Sequence, residues 1–187
     1  RSVSAEFEPR EIYVTIEKKA MVEMPVSFSL GMNQLKEDYS IEKTTIKPNM
    51  IEVTSGENTI KSITQVVAVL PANKVIDGNL SDTAEVYALD KDGNRVSADL
   101  SPNKVTVNLE VKAPSKVVPI RFRQVGDYAK GVKNIVLDPN RTTVELFGPR
   151  EVLDTIYYVD VDVDISGIKT ETKQEITLPT LEHVTHE

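Results

Sequence analysis

The sequence predicts a mainly β protein built from two small tandem domains, each with one short helix, in an elongated arrangement. The chain repeats itself: residues 3–17 match residues 96–110 at a constant offset of 93, with identical Val, Ser, Ala, Pro, Val and Glu. Apolar and polar residues alternate through much of both copies, as half-buried strands require. A period of about 90 residues suits a small independent domain, because solenoid repeats are about 20–50 residues long.

The repeat also predicts the domain boundaries. Ile46-Lys47-Pro48-Asn49 matches Leu137-Asp138-Pro139-Asn140, and Glu85-Val86 matches Glu175-Ile176. We therefore predict one domain at residues 1–99 and a second at residues 100–187. Residues 1–6 match the end of a copy, so we interpret them as the remnant of a preceding repeat.

The strands follow from the alternation of apolar and polar residues. Two prolines, Pro25 and Pro119, interrupt predicted strands, which favours a sheet edge or a bulge there. Asp90-Lys91-Asp92-Gly93-Asn94 predicts a turn, since Asp-Gly accepts positive φ. The predicted strands are residues 12–16, 22–28, 84–88, 105–109, 118–122, 144–146, 159–165 and 176–178.

One short helix is predicted in each copy, after a strand that ends in glycine. In the second copy Pro149 stands near the first helical position, and Val152, Leu153 and Ile156 have helical spacing. In the first copy Ser55 is the candidate N-cap of a helix that includes Ile60. Gly56 and Gly148 precede these helices, where we expect the backbone to need a φ that glycine permits.

Composition excludes several classes of function. The net charge is −7 and no Lys/Arg cluster is present, which argues against binding of nucleic acid or anionic lipid. The absence of cysteine excludes disulfides, thiolate metal sites and cysteine nucleophiles. No stretch of about 18 apolar residues occurs, so this segment is not expected to enter the membrane.

The acidic row Asp160, Asp162 and Asp164 is the sharpest chemical candidate. It alternates with valines, so the three carboxylates are predicted to share one face of a strand, where they form a weak candidate Ca²⁺ site. Same-face residues lie roughly 6.5–7 Å apart, too far for one ion to be held by the strand alone. A solvated face that discourages edge pairing is the alternative, and we favour it. His183 and His186 are a weaker metal candidate at the end of the chain.

Catalytic and phosphate-binding motifs are absent from the sequence. It has no Gly-rich phosphate loop, no G-x-S-x-G and no H-E-x-x-H. We therefore expect no catalytic residue, no resident cofactor and no enzymatic activity.

The order of motifs in the second copy resembles the YbbR-like domain family, of the tandem-domain bacterial CdaR type. The motifs are Pro102-x-x-Val105-x-Val107, Val118-Pro119-Ile120, Val144-Glu145-Leu146-Phe147-Gly148-Pro149 and Val161-Asp162-Val163-Asp164-Ile165-Ser166-Gly167. The first copy matches less closely, with Ser55-Gly56-Glu57 where Gly-Pro is usual.

The resemblance implies a cell-membrane protein of Gram-positive bacteria, with an N-terminal transmembrane helix and YbbR-like domains on the extracytoplasmic side. It further implies association with a membrane-bound diadenylate cyclase and modulation of cyclic di-AMP synthesis. The alternative is an extracellular module that binds cell wall, peptide or Ca²⁺ without a role in cyclase control. The sequence leaves open the sign of the regulation and whether the domains self-associate.

Overall fold

The computed structural model describes residues 11–187, and these residues form β-strands with two short helices. The mainly β class is confirmed. Residues 1–10, including the predicted remnant of a preceding repeat, lie outside the described residues. The strands are β1 (Lys19–Ser29), β2 (Ser40–Lys47), β3 (Met50–Gly56), β4 (Gln65–Val69), β5 (Leu80–Leu89), β6 (Arg95–Val96), β7 (Asp99–Ser101), β8 (Lys104–Lys112), β9 (Ser115–Val125), β10 (Thr143–Phe147), β11 (Val159–Asp164) and β12 (Thr185–His186); the helices are α1 (Glu57–Ser62) and α2 (Arg150–Leu153).

The chain divides into two compact units. Among the described residues, the first contains residues 11–35 together with Glu42–Glu110, and the second contains Lys36–Ile41 and Val111–Glu187. The sequence repeat predicts a boundary between the two domains after residue 99. In the structure, β7 and most of β8 belong to the first unit. The domain boundaries read from the repeat stay a prediction.

The first unit is organised around one sheet with the strand order β2-β8-β5-β4-β1-β3-β7. Strand β1 pairs with β4 in parallel and with β3 in the antiparallel sense. Strand β5 pairs with both β4 and β8 in the antiparallel sense. Alternate residues of β5 and β8 are buried, as the sequence pattern predicts, whereas β4 buries three residues in a row. The largest fully buried side chains are Ile51, Val53, Val66, Leu70, Ile76, Val107 and Leu109.

The second unit contains a smaller sheet with the order β11-β9-β10-β12. Strand β11 pairs with β9 in parallel, and β10 pairs with β9 and β12 in the antiparallel sense. Leu153 is the buried residue of α2 and packs into the core of this unit. The other buried members of that core are Val118, Val144, Leu146, Val159, Val161 and Val184.

Pro25 and Pro119 stand where a strand changes its partner. Strand β1 pairs with β3 through Pro25 and with β4 from Val26 onward. Strand β9 pairs with β10 through Pro119 and with β11 from Ile120 onward. At the prolines each strand pairs with one neighbour only, Pro25 with Met50 and Pro119 with Thr143, which agrees with the predicted edge position. A residue without an N–H fits a point where one row of hydrogen bonds ends and another begins.

Two predicted strands are not formed. Residues 12–16 and residues 176–178 have no strand pairing in the structure. Alternation alone does not make a strand, because a strand also needs a neighbour with free backbone groups. The predicted turn is confirmed: Asp90 accepts hydrogen bonds from the N–H groups of Asp92 and Asn94, and Gly93 has φ +81°.

Both helices are present, but the prediction of how α1 begins was wrong. Its N-cap is Gly56, and the Ser55 hydroxyl instead donates to the carbonyl of Ser97. The Glu17 carboxylate accepts hydrogen bonds from the N–H groups of Asn58 (2.6 Å) and Thr59 (3.3 Å). A side chain from outside the helix therefore satisfies donors that the first turn leaves free.

The glycines before the two helices are needed because a side chain would not fit there, and not because the backbone requires a positive φ. Gly56 has an ordinary φ of −62°, and Gly148 is not among the described residues of positive φ. A Cβ at Gly56 would lie 1.9 Å from a Glu17 carboxylate oxygen, and one at Gly148 would lie 2.8 Å from the His183 carbonyl oxygen. The prediction that these glycines serve a permissive φ was therefore wrong.

Candidate functional site

The predicted acidic row lies on the exposed face of β11. Val159, Val161 and Val163 are buried, and the three aspartates between them are exposed. The exposed residues of the neighbouring strand β9 line up with these aspartates. The parallel register places Asp160 beside Arg121 and Asp162 beside Arg123. One face of this strand pair is therefore apolar and faces the core, while the other carries charges of both signs.

Each of these pairs is a two-point ion pair. The Arg121 Nε lies 2.8 Å from Asp160 Oδ1, and its Nη2 lies 3.1 Å from Oδ2. The corresponding distances between Arg123 and Asp162 are 2.9 and 3.1 Å. We call these four residues the Arg–Asp ladder. Two parallel N–H···O bonds fix the plane of each guanidinium, so the ladder presents an ordered surface.

The ion pairs also shift proton affinities. The hydrogen bonds from Arg121 hold the pKa of Asp160 below its ordinary value, and the same contact raises the pKa of Arg121. The hydrogen bonds with Asp162 likewise raise the pKa of Arg123. Both pairs are largely solvent-exposed. Exposed ion pairs contribute little stability, so the ladder is not a main determinant of the fold.

One of two adjacent tyrosines extends this surface. The Arg121 guanidinium lies 3.4 Å from the centre of the Tyr158 ring, which is 43% exposed. Tyr157 instead contacts Lys116, which lies on the opposite face of β9: the ammonium is 4.8 Å from the ring centre. The same ammonium donates to the carbonyls of Leu153, the last residue of α2, and of Ile156, which follows the helix. Positive charge beside these carbonyls satisfies acceptors that a helix end leaves free.

The structure gives the three predicted metal ligands other partners. Asp160 and Asp162 bind arginines, and Asp164 accepts the N–H of Ser166. That backbone hydrogen bond lowers the pKa of Asp164. Within residues 11–187, no group of three or more acidic or histidine side chains is arranged to hold a metal ion.

The histidines occupy different local structures. His183 has φ +63° in the turn before β12, with its Nε2 3.3 Å from Glu182 Oε1. His186 lies in β12 and pairs with Leu146. The helical spacing that would bring the two rings together does not occur here.

Sequence reasoning missed the arginines. Arg121 lies in the predicted strand 118–122, and Arg123 comes directly after it. Both alternate with apolar residues, as the aspartates do. Two strands with alternating charges of opposite sign are the signal that could have found the ladder. The parallel register that joins them is set by the sheet, which local pattern does not reveal.

Comparison with known proteins identifies the family of this chain. The sequence model of the family described as "YbbR-like protein" matches residues 24–109 and again residues 118–186. This chain belongs to the YbbR-like family. The two matches agree with the tandem arrangement indicated by the repeat, and they make each unit a YbbR-like repeat.

A curated relative and two solved structures are similar to this YbbR-like chain. The CdaA regulatory protein CdaR of Bacillus subtilis (strain 168) is 28% identical over 173 residues, which cover 91% of this chain and 36% of the relative. This chain thus spans about a third of that protein. A crystal structure of a YbbR-like protein from Streptococcus pneumoniae TIGR4 is 25% identical, with a TM-score of 0.49 over 51% of this chain and 49% of that one. A solution structure of protein BH0266 from Bacillus halodurans is 14% identical, with a TM-score of 0.28 over 69% of this chain and 97% of that one.

Proposed function

We propose that this chain is part of a regulatory protein that associates with a membrane-bound diadenylate cyclase and modulates synthesis of cyclic di-AMP. The observation that carries the proposal is the 28% identity, over 91% of this chain, to a protein named as the regulator of CdaA. Because the chain covers 36% of that relative, the activity of the whole relative comes to this chain only as a proposal.

The proposed location is the extracytoplasmic side of the cell membrane, in a polypeptide anchored by an N-terminal transmembrane helix. The family resemblance supports this arrangement. Among residues 11–187, no helix is long and apolar enough to cross a bilayer. The two YbbR-like repeats would then act on the cyclase by protein contact.

The Arg–Asp ladder and Tyr158 are the surface that we assign to this contact. Arginine and tyrosine are enriched at interaction hot spots, since both supply large contact areas and directed hydrogen bonds. The ladder is prearranged by its own ion pairs, which lowers the cost of ordering its side chains on binding. Its mixed charge favours a protein partner over a polyanion.

The test compares three forms of the longer protein, each produced together with the cyclase. They are the intact protein, a form lacking both YbbR-like repeats, and the Tyr158→Ala variant. We expect loss of the repeats to change both co-purification with the cyclase and the cellular level of cyclic di-AMP. Unchanged association and unchanged cyclic di-AMP in the deletion form would refute the regulatory role of this segment.

A matched control isolates the surface. Tyr128→Ala removes another exposed tyrosine of the second unit, whose hydroxyl lies 3.4 Å from the side chain of Gln124, a residue that alternates with the ladder arginines along β9. We expect Tyr158→Ala to weaken co-purification about tenfold, as loss of a hot-spot aromatic does, and Tyr128→Ala to leave it unchanged. Equal effects of the two variants would remove the ladder surface from the proposal.

A further inference from the structure

The first unit has a groove of about 770 Å³ on the outward face of its sheet. The strand register places the sheet residues of the groove on one face, because Glu85 stands directly opposite both Val69 and Lys104. Segments 31–34 and 70–72 form the opposite wall. All of these residues belong to the first unit. The side chains that the sheet contributes are Val69 of β4, Glu85 and Tyr87 of β5, Arg95 of β6 and Lys104 of β8.

The opposite wall is held in place by a buried glutamine. Gln34 is 3% exposed. Its side-chain oxygen accepts the N–H of Gly31 at 2.8 Å, and its side-chain nitrogen donates to the carbonyl of Pro71 at 2.7 Å. A buried polar side chain with both ends hydrogen-bonded fixes the segments that it joins. The loop that carries Met32 is thereby attached to the end of β4, so the groove is formed before a ligand binds.

The sheet side of the groove carries two cations and one carboxylate. The Tyr87 hydroxyl donates to Glu85 Oε2, and the Arg95 guanidinium lies 3.7 Å from the centre of the Tyr87 ring. A guanidinium that contacts a ring through its face keeps the N–H donors in its plane for another partner. The ion pairs within residues 11–187 include neither Arg95 nor Lys104. Both cations are therefore available to a ligand.

This arrangement favours a ligand in which a carboxylate lies near an N–H donor and an aliphatic group. Guanidinium and ammonium groups bind carboxylates through charge-assisted hydrogen bonds. The Glu85 carboxylate beside them accepts an N–H and disfavours a polyanion, which would bring further negative charge close to it. The opposite wall offers apolar surface from Met32, Pro71 and Ala72. A peptide carries all three of the required groups.

We propose that the groove of the first unit binds a short peptide through a carboxylate, which Arg95 and Lys104 hold. Glu85 would accept an N–H of the peptide, and an aliphatic side chain of the peptide would lie against Met32. The carboxylate belongs either to the C-terminus of the peptide or to an acidic side chain within it. The Arg–Asp ladder lies in the second unit, so this inference goes beyond the proposed function and does not depend on it.

NMR titration of the whole chain with three N-acetylated peptides tests the proposal. The first is Leu-Ala-Leu with a free C-terminus, the second is Leu-Ala-Glu-Leu amide, and the third is Leu-Ala-Leu amide, which has no carboxylate. We expect at least one of the carboxylate peptides to bind at least about tenfold more tightly than the third. The peptide that does so identifies the source of the carboxylate. Equal affinity for all three peptides, or binding by none, would overturn the proposal.

Charge-removing variants locate the carboxylate in the groove. We expect Arg95→Gln and Lys104→Gln each to weaken binding of the carboxylate peptide about tenfold, because each removes a charged donor. Lys91→Gln is the matched control, since it makes the same change of charge at an exposed residue of the same unit that does not line the groove. If Lys91→Gln weakened binding as much as Lys104→Gln, the effect would be one of overall charge and the assignment would be wrong.

A methionine pair tests the apolar wall. Met32 is 91% exposed at the groove, whereas Met21 is 62% exposed on β1 and does not line it. We expect Met32→Ser to weaken peptide binding and Met21→Ser to leave it unchanged. Both variants should unfold as the unchanged chain does, because both side chains are exposed. Equal effects of the two variants, or displacement of the peptide by an equal concentration of inorganic phosphate, would show that the ligand is not a peptide.

Discussion

Val107→Ala and Val14→Ala change the same position of the two YbbR-like repeats, and we expect very different costs in stability. Val107 is fully buried in β8, whereas Val14 is 79% exposed. Truncation to alanine removes about two methylene equivalents, each contributing about 0.8 kcal/mol, and leaves a cavity as well. We therefore expect Val107→Ala to lower the free energy of unfolding of the first unit by about 2–3 kcal/mol. Val14→Ala should change it by less than about 0.5 kcal/mol, as exposed substitutions do.

Urea unfolding followed by circular dichroism measures the difference, with the two units fitted as separate transitions. The slope of each transition should be the same in both variants, so that the midpoint alone reports stability. A loss of 2–3 kcal/mol corresponds to a fall in melting temperature of roughly 8–24 °C for a unit of this size. Equal losses for the two variants would refute the assignment of β8 to the core and of residues 11–17 to the surface.

Four further predictions concern the second unit, α1 and the acidic row. Leu153→Ala should cost about 2–5 kcal/mol, because truncating this fully buried side chain of α2 leaves a cavity in the core; calorimetry measures the loss. Gly56→Ala should cost about 0.5–2 kcal/mol of unfolding free energy, because the added Cβ displaces the Glu17 carboxylate from the first turn of α1. The same substitution should cost almost nothing in a Glu17→Ala background, and a double-mutant cycle by urea unfolding checks this. The lowered pKa of Asp160 adds stability that is present above the ordinary pKa of 3.8 and is lost as pH falls through the folded-state value. The stability difference between the unchanged chain and Asp160→Asn should therefore shrink in acid, and a difference that grows instead would contradict the ion pair with Arg121. Added Ca²⁺ should leave the melting temperature unchanged, since a ligand specific to the native state would raise it.

Local pattern predicted those parts of the fold that local chemistry decides. The alternation in β8 and β11 gave their buried faces correctly, because the side-chain period of a strand is fixed by backbone geometry. The turn at Asp90 could also be predicted from the sequence, since its hydrogen bonds span only a few residues. The family followed from the order of short motifs along the second repeat.

Long-range neighbours decided what the pattern left ambiguous. Residues 12–16 alternate as cleanly as β8 but pair with nothing in the described part of the chain. Gly56 and Gly148 were explained wrongly, because the groups that demand space there, Glu17 and His183, are distant in sequence. The acidic row was predicted to be a solvated strand face and only weakly a Ca²⁺ site, but the arginine beside each of two aspartates was not predicted, because only the parallel register brings them together.

The sequence by itself determined the mainly β class, the tandem repeat and the inward faces of most strands, since each depends on residue order and backbone period. Only the tertiary structure decided which strand pairs with which. That choice turns β1 and β9 from one partner to another at Pro25 and Pro119, and it closes the Arg–Asp ladder. The physical reason is that backbone hydrogen bonds and ion pairs join residues far apart in sequence, and their geometry exists only once the chain has folded.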